Sequence, residues 1–458
     1  MSMFKDIPVD VGVIYEGERI RWAQTHVELG GPKVEHKFEL LRAKALEEVE
    51  DGKITVIGPD IRDLEKKGYP FGMYIEVAGE EVEEDLEGVF ERRLHDYCNY
   101  VEGIMHVNQR YDLQMRVSEK SVKKGFNSFQ FLGKVLQKLY KSELPIIEKM
   151  QITFITDPEK VDEMWREAMK IYEARDARAR GLKDDDVEEF YGCNLCQSFA
   201  PTHSCIITPQ RYANCGAISW FDGRAAARVD PKGPIFKIEK GECLDEWKGE
   251  YTGANKSLKE NTMGEITRVW LYTAFGYPHT SCGCFEAVAF YIPEVEGLGI
   301  VHRGFKEPTV NGLPFSTMAD STAGGRQVDG FHGISIEYMR SPKFLQVDDG
   351  WKRIVWMPES VKERVKDFIP EDVVDKIATE KDVKTIDQLK EYLEEKEHPV
   401  VERWKAEPEE EALAPASSMS TIPLSSMTAN IGRFKIILKN AKIRARKVTI
   451  RTVRKEGE

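Results

Sequence analysis

Four cysteines lie close together in the middle of the chain. Two residues separate Cys193 from Cys196, eight more lead to Cys205, and nine more lead to Cys215. Four thiolates suit a tetrahedral zinc ion or a [4Fe-4S] cluster, because soft sulfur donors match both. The spacing matches neither paired zinc knuckles nor a bacterial ferredoxin, so both metals stay open. His203 is a less favoured ligand, because a loop histidine more often makes a hydrogen bond.

A second pair of cysteines is separated by one glycine, in Cys282-Gly283-Cys284. The two sulfurs are too close along the chain for an unstrained disulfide. Both sulfurs and the deprotonated backbone nitrogens between them can form a planar N2S2 donor set, which Ni(II) or Cu(II) prefers and zinc does not. Gly283 accepts the backbone of such a chelate because it has no Cβ. The alternative is two structural cysteines in a tight turn, which the four nearby cysteines make less favoured.

Two further cysteines, Cys98 and Cys243, stand alone in the sequence. Cys98 lies in an amphipathic pattern and is expected in the core, and Cys243 has no assigned role. The chain begins with acidic residues where a signal peptide needs basic and apolar ones, so we expect a cytoplasmic protein whose grouped thiols bind metal rather than form disulfides.

The first part of the chain, residues 1–185, reads as a mixed α/β domain. Apolar periodicity predicts helices over 36–52 and 83–104, and Asp157 with the proline after it predicts the start of a long helix that ends near residue 181. Short β-rich runs predict strands over 53–58, 72–79, 111–117 and 150–156.

The second part, residues 186–405, is rich in glycine, cysteine, proline and aromatic residues and holds all six grouped cysteines. It predicts a loop-rich α+β domain, and loops of this kind often carry functional sites. The predicted strands are 234–240, 266–275 and 285–294, and the predicted helices are 358–368, 370–378 and 385–397. The fold class is therefore α+β with two domains.

The C-terminal part differs in charge from the rest of the chain. Residues 406–432 are rich in alanine, serine, proline and glutamate, which is typical of a flexible linker. Residues 433–458 carry ten basic and two acidic side chains, a net charge of +8, whereas the whole chain of 458 residues has −12. This basic tail fits a docking arm that adds a strand to a partner, and the alternative is a solvated tail.

Composition excludes several classes of protein. The chain is 41% hydrophobic and 31% charged, which is typical of globular proteins. No apolar run is long enough for a membrane span. The net charge of −12 argues against nucleic-acid binding over the whole surface.

The pattern C-x2-C-x8-C-x9-C followed by C-G-C resembles the A-cluster motif of the acetyl-CoA synthase family. The resemblance covers residues 1–405 and is closest to the β subunits of the acetyl-CoA decarbonylase/synthase complexes of methanogenic archaea. Bacterial members carry a further N-terminal domain that docks on carbon monoxide dehydrogenase and shapes a gas tunnel, and this sequence shows none.

The resemblance implies a set of metal ligands. Cys196 would bridge a [4Fe-4S] cubane to a proximal nickel, and Cys282 and Cys284 would bridge that nickel to a distal one, completed by the backbone amides of Gly283 and Cys284. Phe199 matches the aromatic residue beside the open position of the proximal nickel. The cubane ligands would be Cys193, Cys196, Cys205 and Cys215.

The resemblance also implies an activity and partners. The chain would assemble or cleave acetyl-CoA from CO, a methyl group carried by a corrinoid iron-sulfur protein, and coenzyme A, in a complex with carbon monoxide dehydrogenase subunits. The other hypothesis is a non-catalytic iron-sulfur or zinc module that serves electron transfer or as a scaffold. It explains four cysteines and leaves Cys282 and Cys284 without a role.

Coenzyme A carries phosphates that need cations. A cationic group in the first domain is a candidate, because a cleft between domains often holds such ligands, and the alternative is an ordinary solvated surface. This cationic group consists of Arg116, Lys120, Lys123 and Lys124.

Overall fold

The computed structural model describes residues 3–107 and 110–405, together with the backbone of 426–431 and 434–439. Met1–Lys405 form one compact unit. The predicted division of this unit near residue 185 stays a prediction. None of the helices in the described part of the chain is long and apolar enough to cross a membrane.

The first part of the chain forms two four-stranded sheets with helices packed against them. The strands are β1 (Thr25–Gly30), β2 (Lys37–Ala43), β3 (Ile54–Ile57), β4 (Gly68–Tyr69), β5 (Phe71–Ala78), β6 (Ile104–Val107), β7 (Gln114–Ser118) and β8 (Lys149–Ile155). The helices are α1 (Glu87–Asn99), α2 (Glu119–Lys123), α3 (Phe129–Glu143) and α4 (Pro158–Ala177).

One sheet has the order β4-β1-β7-β6 and the other has the order β2-β5-β8-β3. In the second sheet β5 pairs with β2 in parallel and with β8 in antiparallel orientation. Phe71 on β5, Phe129 on α3 and Phe154 on β8 stack in its core, with ring centroids of Phe129 and Phe154 5.0 Å apart. Aromatic stacking thus holds α3 on the sheet.

The helix predicted over 36–52 is wrong, because the segment forms strand β2 and a short 3-10 helix, Leu46–Glu48. Phe38, Leu40 and Leu41 are all buried, and the strand pairs with β5 along its whole length. A strand covered on both faces has a near-continuous apolar run, which its sequence cannot distinguish from a buried helix.

The other predictions for the first part are confirmed. The strands predicted over 53–58, 72–79, 111–117 and 150–156 are β3, β5, β7 and β8, and the helix within 83–104 is α1. The backbone N–H of Lys160 donates to Asp157 Oδ1 over 2.9 Å, so Asp157 is the N-cap of α4 as expected.

The second part of the chain contains a three-stranded sheet, a two-stranded sheet and a four-stranded sheet. Its strands are β9 (Glu189–Cys193), β10 (Cys205–Ile207), β11 (Ile235–Glu239), β12 (Cys243–Asp245), β13 (Glu250–Tyr251), β14 (Ala287–Ile292), β15 (Gly297–His302), β16 (Phe331–Ile334) and β17 (Ile354–Trp356). Its helices are α5 (Trp220–Val229), α6 (Thr252–Asn261), α7 (Phe315–Thr322), α8 (Ile336–Met339), α9 (Glu359–Val365), α10 (Glu371–Val374), α11 (Ile386–Glu395) and α12 (Val401–Lys405).

Most elements predicted for this part are confirmed, including the strands β11 and β14 and the helices α9, α10 and α11. The strand predicted over 266–275 is wrong. This segment is irregular, with one isolated bridge between Trp270 and Pro278. Leu271, Tyr272 and Ala274 are buried all the same, so their apolar pattern reflects packing rather than sheet pairing.

In the C-terminal part, strands β18 (Ser426–Ile431) and β19 (Phe434–Lys439) pair in antiparallel orientation. The predicted linker therefore contains one strand, and the predicted basic tail contains the other. The remaining residues of the predicted docking arm, 440–458, lie outside the described residues.

Candidate metal centre

The three-stranded sheet positions the first cysteine group. β9 pairs with β10 so that Cys193 lies opposite Cys205. A 3-10 helix, Leu195–Ser198, follows β9 directly and carries Cys196. Sheet pairing and a tight helical turn thus bring sulfurs that are distant along the chain into one region.

The C-G-C sequence forms a tight turn. Gly283 has a φ of +122°, which L side chains rarely adopt, so the turn needs the glycine. The backbone N–H of Cys284 donates to Cys282 Sγ over 3.3 Å. Arg303 Nη2 donates to the Gly283 carbonyl over 2.5 Å and to the Phe285 carbonyl over 3.0 Å, so one guanidinium fixes the far side of the turn.

The structure brings the two cysteine groups together. Cys196 and Cys284 lie beside the same guanidinium, since Arg92 Nη2 is 3.5 Å from Cys196 Sγ and 4.0 Å from Cys284 Sγ. The thiols of Cys282 and Cys284 are close enough to Cys196 to shift its pKa. All eight cysteines are free, and those in the two groups are buried apart from the half-buried Cys215. Sequence positions almost ninety residues apart thus converge on one site.

Burial and contacts between sulfurs raise the pKa of most of the grouped thiols, which keeps those thiols protonated at neutral pH when no metal is bound. A hydrogen bond with Cys282 and burial raise the pKa of Cys196, and a hydrogen bond with Cys196 and burial raise the pKa of Cys284 to about 12. Burial also raises the pKa of Cys193 and of Cys215. Because metals bind the thiolate form, metal binding here must release protons.

The described residues contain no preformed site for a single metal ion. No three histidine, cysteine, aspartate or glutamate side chains among them are placed to hold one. The six grouped cysteines are free thiols, and none of them forms a disulfide.

Helix α1 adds a cation to the site. Arg92 is 1% exposed, and its Nη2 donates to Cys196 Sγ over 3.5 Å and to Cys284 Sγ over 4.0 Å. Its Nη1 donates to Asp96 over 2.9 Å. Burial disfavours the charge, but Asp96 and the nearby thiols raise the pKa of Arg92 above its usual value. The guanidinium is therefore charged beside the sulfurs.

Two histidines lie near Cys284. His95 on α1 interacts with the Cys284 thiol, and its Nδ1 lies 3.1 Å from Nδ1 of His106 on β6, whose Nε2 lies 2.8 Å from Glu39 Oε2. Burial lowers the pKa of His95 to about 4, so its imidazole is neutral at physiological pH. On the opposite side, His203 Nε2 lies 3.1 Å from Cys205 Sγ, so His203 is a hydrogen-bond partner of a sulfur.

Two family models match the chain. Residues 7–161 match the model described as the CO dehydrogenase/acetyl-CoA synthase complex beta subunit, and residues 172–405 match the model for the C-terminal part of the ACS/CODH beta subunit. The chain belongs to this β-subunit family. The family assignment confirms the resemblance that the cysteine motifs carry.

Relatives from methanogenic archaea extend the match over the whole chain. The acetyl-CoA decarbonylase/synthase complex subunit beta of Methanothermobacter thermautotrophicus is 54% identical over 98% of this chain and 100% of the relative. The beta subunit of Methanopyrus kandleri is 52% identical over 100% of both chains. The subunit beta 2 of Methanosarcina thermophila is 55% identical over 88% of this chain and 85% of the relative.

A solved C-terminal domain from the alpha subunit of acetyl-coenzyme A synthase is 41% identical over 28% of this chain and 98% of that domain, with a TM-score of 0.25. A superposition with so low a score carries no argument about the fold. The family assignment rests on the family models and the relatives.

The aromatic residue that the family resemblance singled out lies beside the C-G-C turn. Phe199 follows the 3-10 helix of Cys196 and is 43% exposed. A Cβ built on Gly283 would lie 3.7 Å from Phe199 Cε2. The structure therefore places Phe199 at the outer face of the cysteine turn, and its role there stays a prediction.

The cationic group predicted to contact coenzyme A is tied to carboxylates. Arg116 Nε donates to Glu28 over 2.6 Å, and the ammonium groups of Lys120 and Lys124 lie 2.8 Å and 2.6 Å from Glu102. Both lysines nevertheless remain open to solvent, because the side chains of Lys120 and Lys124 are 69% and 42% exposed. Lys123 lies on the same short helix as Lys120, α2.

A small cavity opens beside the centre, with a volume of about 20 Å³. That is room for one molecule the size of water. It is lined by Arg110, Asp112, Cys215, Cys284, Glu286, His302 and Arg303. All seven of these side chains are ionisable, so the space next to the sulfurs is polar.

Sequence reasoning missed Arg92, His95 and Arg303. The first two lie on α1, which the sequence correctly predicts as a helix, but burial of their polar side chains depends on the second part of the chain packing over them. The sequence of α1 carried no signal for its two residues, because Arg92 lies on the side of the helix opposite to Phe90 and Leu94, where a surface helix places its charged residues. Of the two lone cysteines, Cys98 is buried as expected, and Cys243, for which nothing was predicted, is exposed.

Proposed function

We propose that this chain is the catalytic β subunit of an acetyl-CoA decarbonylase/synthase complex, and that it reversibly assembles acetyl-CoA from CO, a methyl group and coenzyme A. The observation that carries the proposal is the contact of Cys196 and Cys284 with the same buried guanidinium, that of Arg92, at 3.5 Å and 4.0 Å. This contact joins the four-cysteine group to the C-G-C turn.

The residues present fit a nickel-iron-sulfur cluster. Cys193, Cys196, Cys205 and Cys215 would hold a [4Fe-4S] cubane, as implied by family resemblance. Cys196, Cys282, Cys284 and the backbone amides of Gly283 and Cys284 would hold two nickel ions beside it. Carbon-carbon bond formation and acyl transfer are the chemistry that such a cluster supplies when bound.

The chain itself shapes the site. Arg303 donates to the carbonyls of Gly283 and Phe285, which stabilises the C-G-C turn in the observed conformation. Phe199 lies over the outer face of the turn. Its aromatic ring would let small molecules such as CO reach the site and keep larger ones out. Burial of the cysteines excludes bulk water, which protects a reactive acyl group from hydrolysis.

The proposed partners are other subunits of the complex. They comprise carbon monoxide dehydrogenase subunits, which supply or accept CO, and a corrinoid iron-sulfur protein, which supplies or accepts the methyl group. The relatives' names support a multisubunit assembly, since each is a subunit of a decarbonylase/synthase complex.

Substitution of the C-G-C cysteines tests this function. We expect Cys282→Ser and Cys284→Ser to lose nickel and acetyl transfer while most of the iron is retained, because the cubane ligands are untouched. Cys243→Ser is the matched control, since Cys243 is exposed and outside both groups. Full acetyl transfer in either variant would refute the proposal, and iron or zinc without nickel in the native chain would favour a non-catalytic module.

We propose further that coenzyme A phosphates contact the cationic group of Arg116, Lys120, Lys123 and Lys124. The exposure of its three lysine side chains supports this. The double variant Lys120→Ala/Lys123→Ala should raise KM for coenzyme A with little change in kcat. The reason is that phosphate contacts far from the reacting thiol stabilise the ground state and the transition state equally. Lys170→Ala, with a side chain 72% exposed on α4, is the control, and an unchanged KM in the double variant would exclude the site.

A further inference from the structure

A buried arginine connects the two cysteine groups. Arg92 Nη2 lies within hydrogen-bond reach of one sulfur from each group, Cys196 and Cys284. Among lysine and arginine side chains of the described residues, it alone donates a hydrogen bond to any of the six grouped sulfurs. This contact joins the two regions that match separate family models, because Arg92 lies in residues 7–161 and both cysteines lie in residues 172–405.

The surroundings of Arg92 require a second anionic partner. A guanidinium cannot lose its proton in a protein, so Arg92 carries its charge at 1% exposure. One carboxylate, Asp96, binds its Nη1, and Asp96 also lies 3.6 Å from Arg93. The other side of the guanidinium faces sulfur. A buried charge is costly unless it is paired, and thiolates supply the missing negative charge once they bind metal.

The geometry also suits a bridge. The planar guanidinium presents donors in a fixed fork, so one side can hold Asp96 while the other holds two sulfurs at once. Hydrogen bonds to sulfur and nearby positive charge both stabilise the electron-rich state of an iron-sulfur cluster and so raise its reduction potential.

We propose that Arg92 is a positioning residue of the metal centre, which holds the sulfurs of Cys196 and Cys284 together and raises the reduction potential of the bound cluster. The proposal rests on the proposed function, because it assumes that these cysteines bind the cluster. It assigns to the first part of the chain a direct influence on a centre whose ligands all lie in the second part.

A redox titration monitored by electron paramagnetic resonance tests this role. The intact chain, reconstituted with iron and nickel without oxygen, is titrated with dithionite and mediator dyes, and each cluster takes one electron from the reductant. We expect Arg92→Gln to lower the ratio of reduced to oxidised cluster at a fixed potential at least about tenfold, which corresponds to a shift of about −59 mV for a one-electron couple. Arg92→Lys keeps the positive charge but loses the planar set of guanidinium donors, so it should lower the reduction potential by a smaller amount.

The neighbouring residue supplies a matched control. Arg93 lies on the same helix, pairs with Glu143 over 2.7 Å and lies 3.6 Å from Asp96, but it donates to none of the grouped sulfurs. Because Arg93→Gln leaves the pair of Arg92 and Asp96 and both sulfur contacts in place, it should leave the ratio within about twofold of the native value. Unchanged ratios in both Arg92 variants would overturn the proposal. If Arg92→Gln does not fold, Arg92→Lys decides alone, and a native chain without a cluster signal would instead refute the proposed function.

Discussion

Replacing Gly283 by alanine tests whether the metal centre depends on the backbone of the C-G-C turn. The Gly283 φ of +122° is open to glycine and strained for any L residue. Space is not the obstacle, since the nearest atoms to an added Cβ would be Ala323 Cβ at 3.4 Å and Phe199 Cε2 at 3.7 Å, which are ordinary contacts. The cost therefore comes from backbone strain alone.

Strain of this kind costs about 1–3 kcal/mol per residue. If nickel binding needs the observed backbone, the Gly283→Ala chain must adopt that strained conformation when it binds nickel. The strain energy is then lost from the binding free energy, and nickel affinity should fall by about 5- to 150-fold. The assay is competition between the iron-reconstituted chain and a nickel chelator, followed by elemental analysis. The melting temperature should change little, because the strained turn can relax when no nickel is bound.

Two glycines serve as controls. Gly264 has a φ of +80° and no atom within 4 Å of an added Cβ, so Gly264→Ala should lower stability without changing nickel affinity. Gly181 has open space and no positive φ, so Gly181→Ala should change neither. Nickel affinity within about twofold of the native chain in Gly283→Ala would refute the reasoning.

Three other substitutions separate stability from function. Asp96→Asn should lower the free energy of unfolding of the metal-free chain by about 3–5 kcal/mol, because it breaks the buried pair with Arg92, and an unchanged urea midpoint would contradict this. Phe199→Ala should change the free energy of unfolding by less than about 1 kcal/mol, since the residue is 43% exposed, but should slow acetyl transfer severalfold. A large loss of stability with a proportionate loss of activity would argue that the ring is purely structural. Burial lowers the pKa of His398 to about 4, so the unfolded chain binds its proton first as pH falls, and stability should drop between about pH 6.5 and 4. Melting curves of His398→Gln should lack part of this drop, and identical pH profiles would exclude His398 as a source.

Much of the site could be predicted from sequence because its ligands come in two short motifs. The spacing around Cys193 and the C-G-C sequence each limit the possible metals, and their combination identifies the family. Gly283 was also predictable, since only glycine accepts the backbone of a planar chelate, and its φ of +122° agrees.

The parts that could not be predicted depend on contacts that are distant along the chain. Arg92 looks like any helical arginine until the second part of the chain covers α1 and brings Cys196 within 3.5 Å. The sequence of strand β2 wrongly predicts a helix for a related reason, because Phe38 and Leu41 are covered on opposite faces only once the helices pack. Local pattern predicts elements, but burial of polar side chains depends on tertiary packing.

Metal content tests the central claim most directly. The chain purified and reconstituted with nickel in the absence of oxygen should contain nickel and iron at about one nickel to two irons, the ratio of a binuclear nickel site beside a [4Fe-4S] cluster. Zinc should be absent from the six grouped cysteines. Iron without nickel, or zinc alone, would contradict the account and return Cys282 and Cys284 to a structural turn.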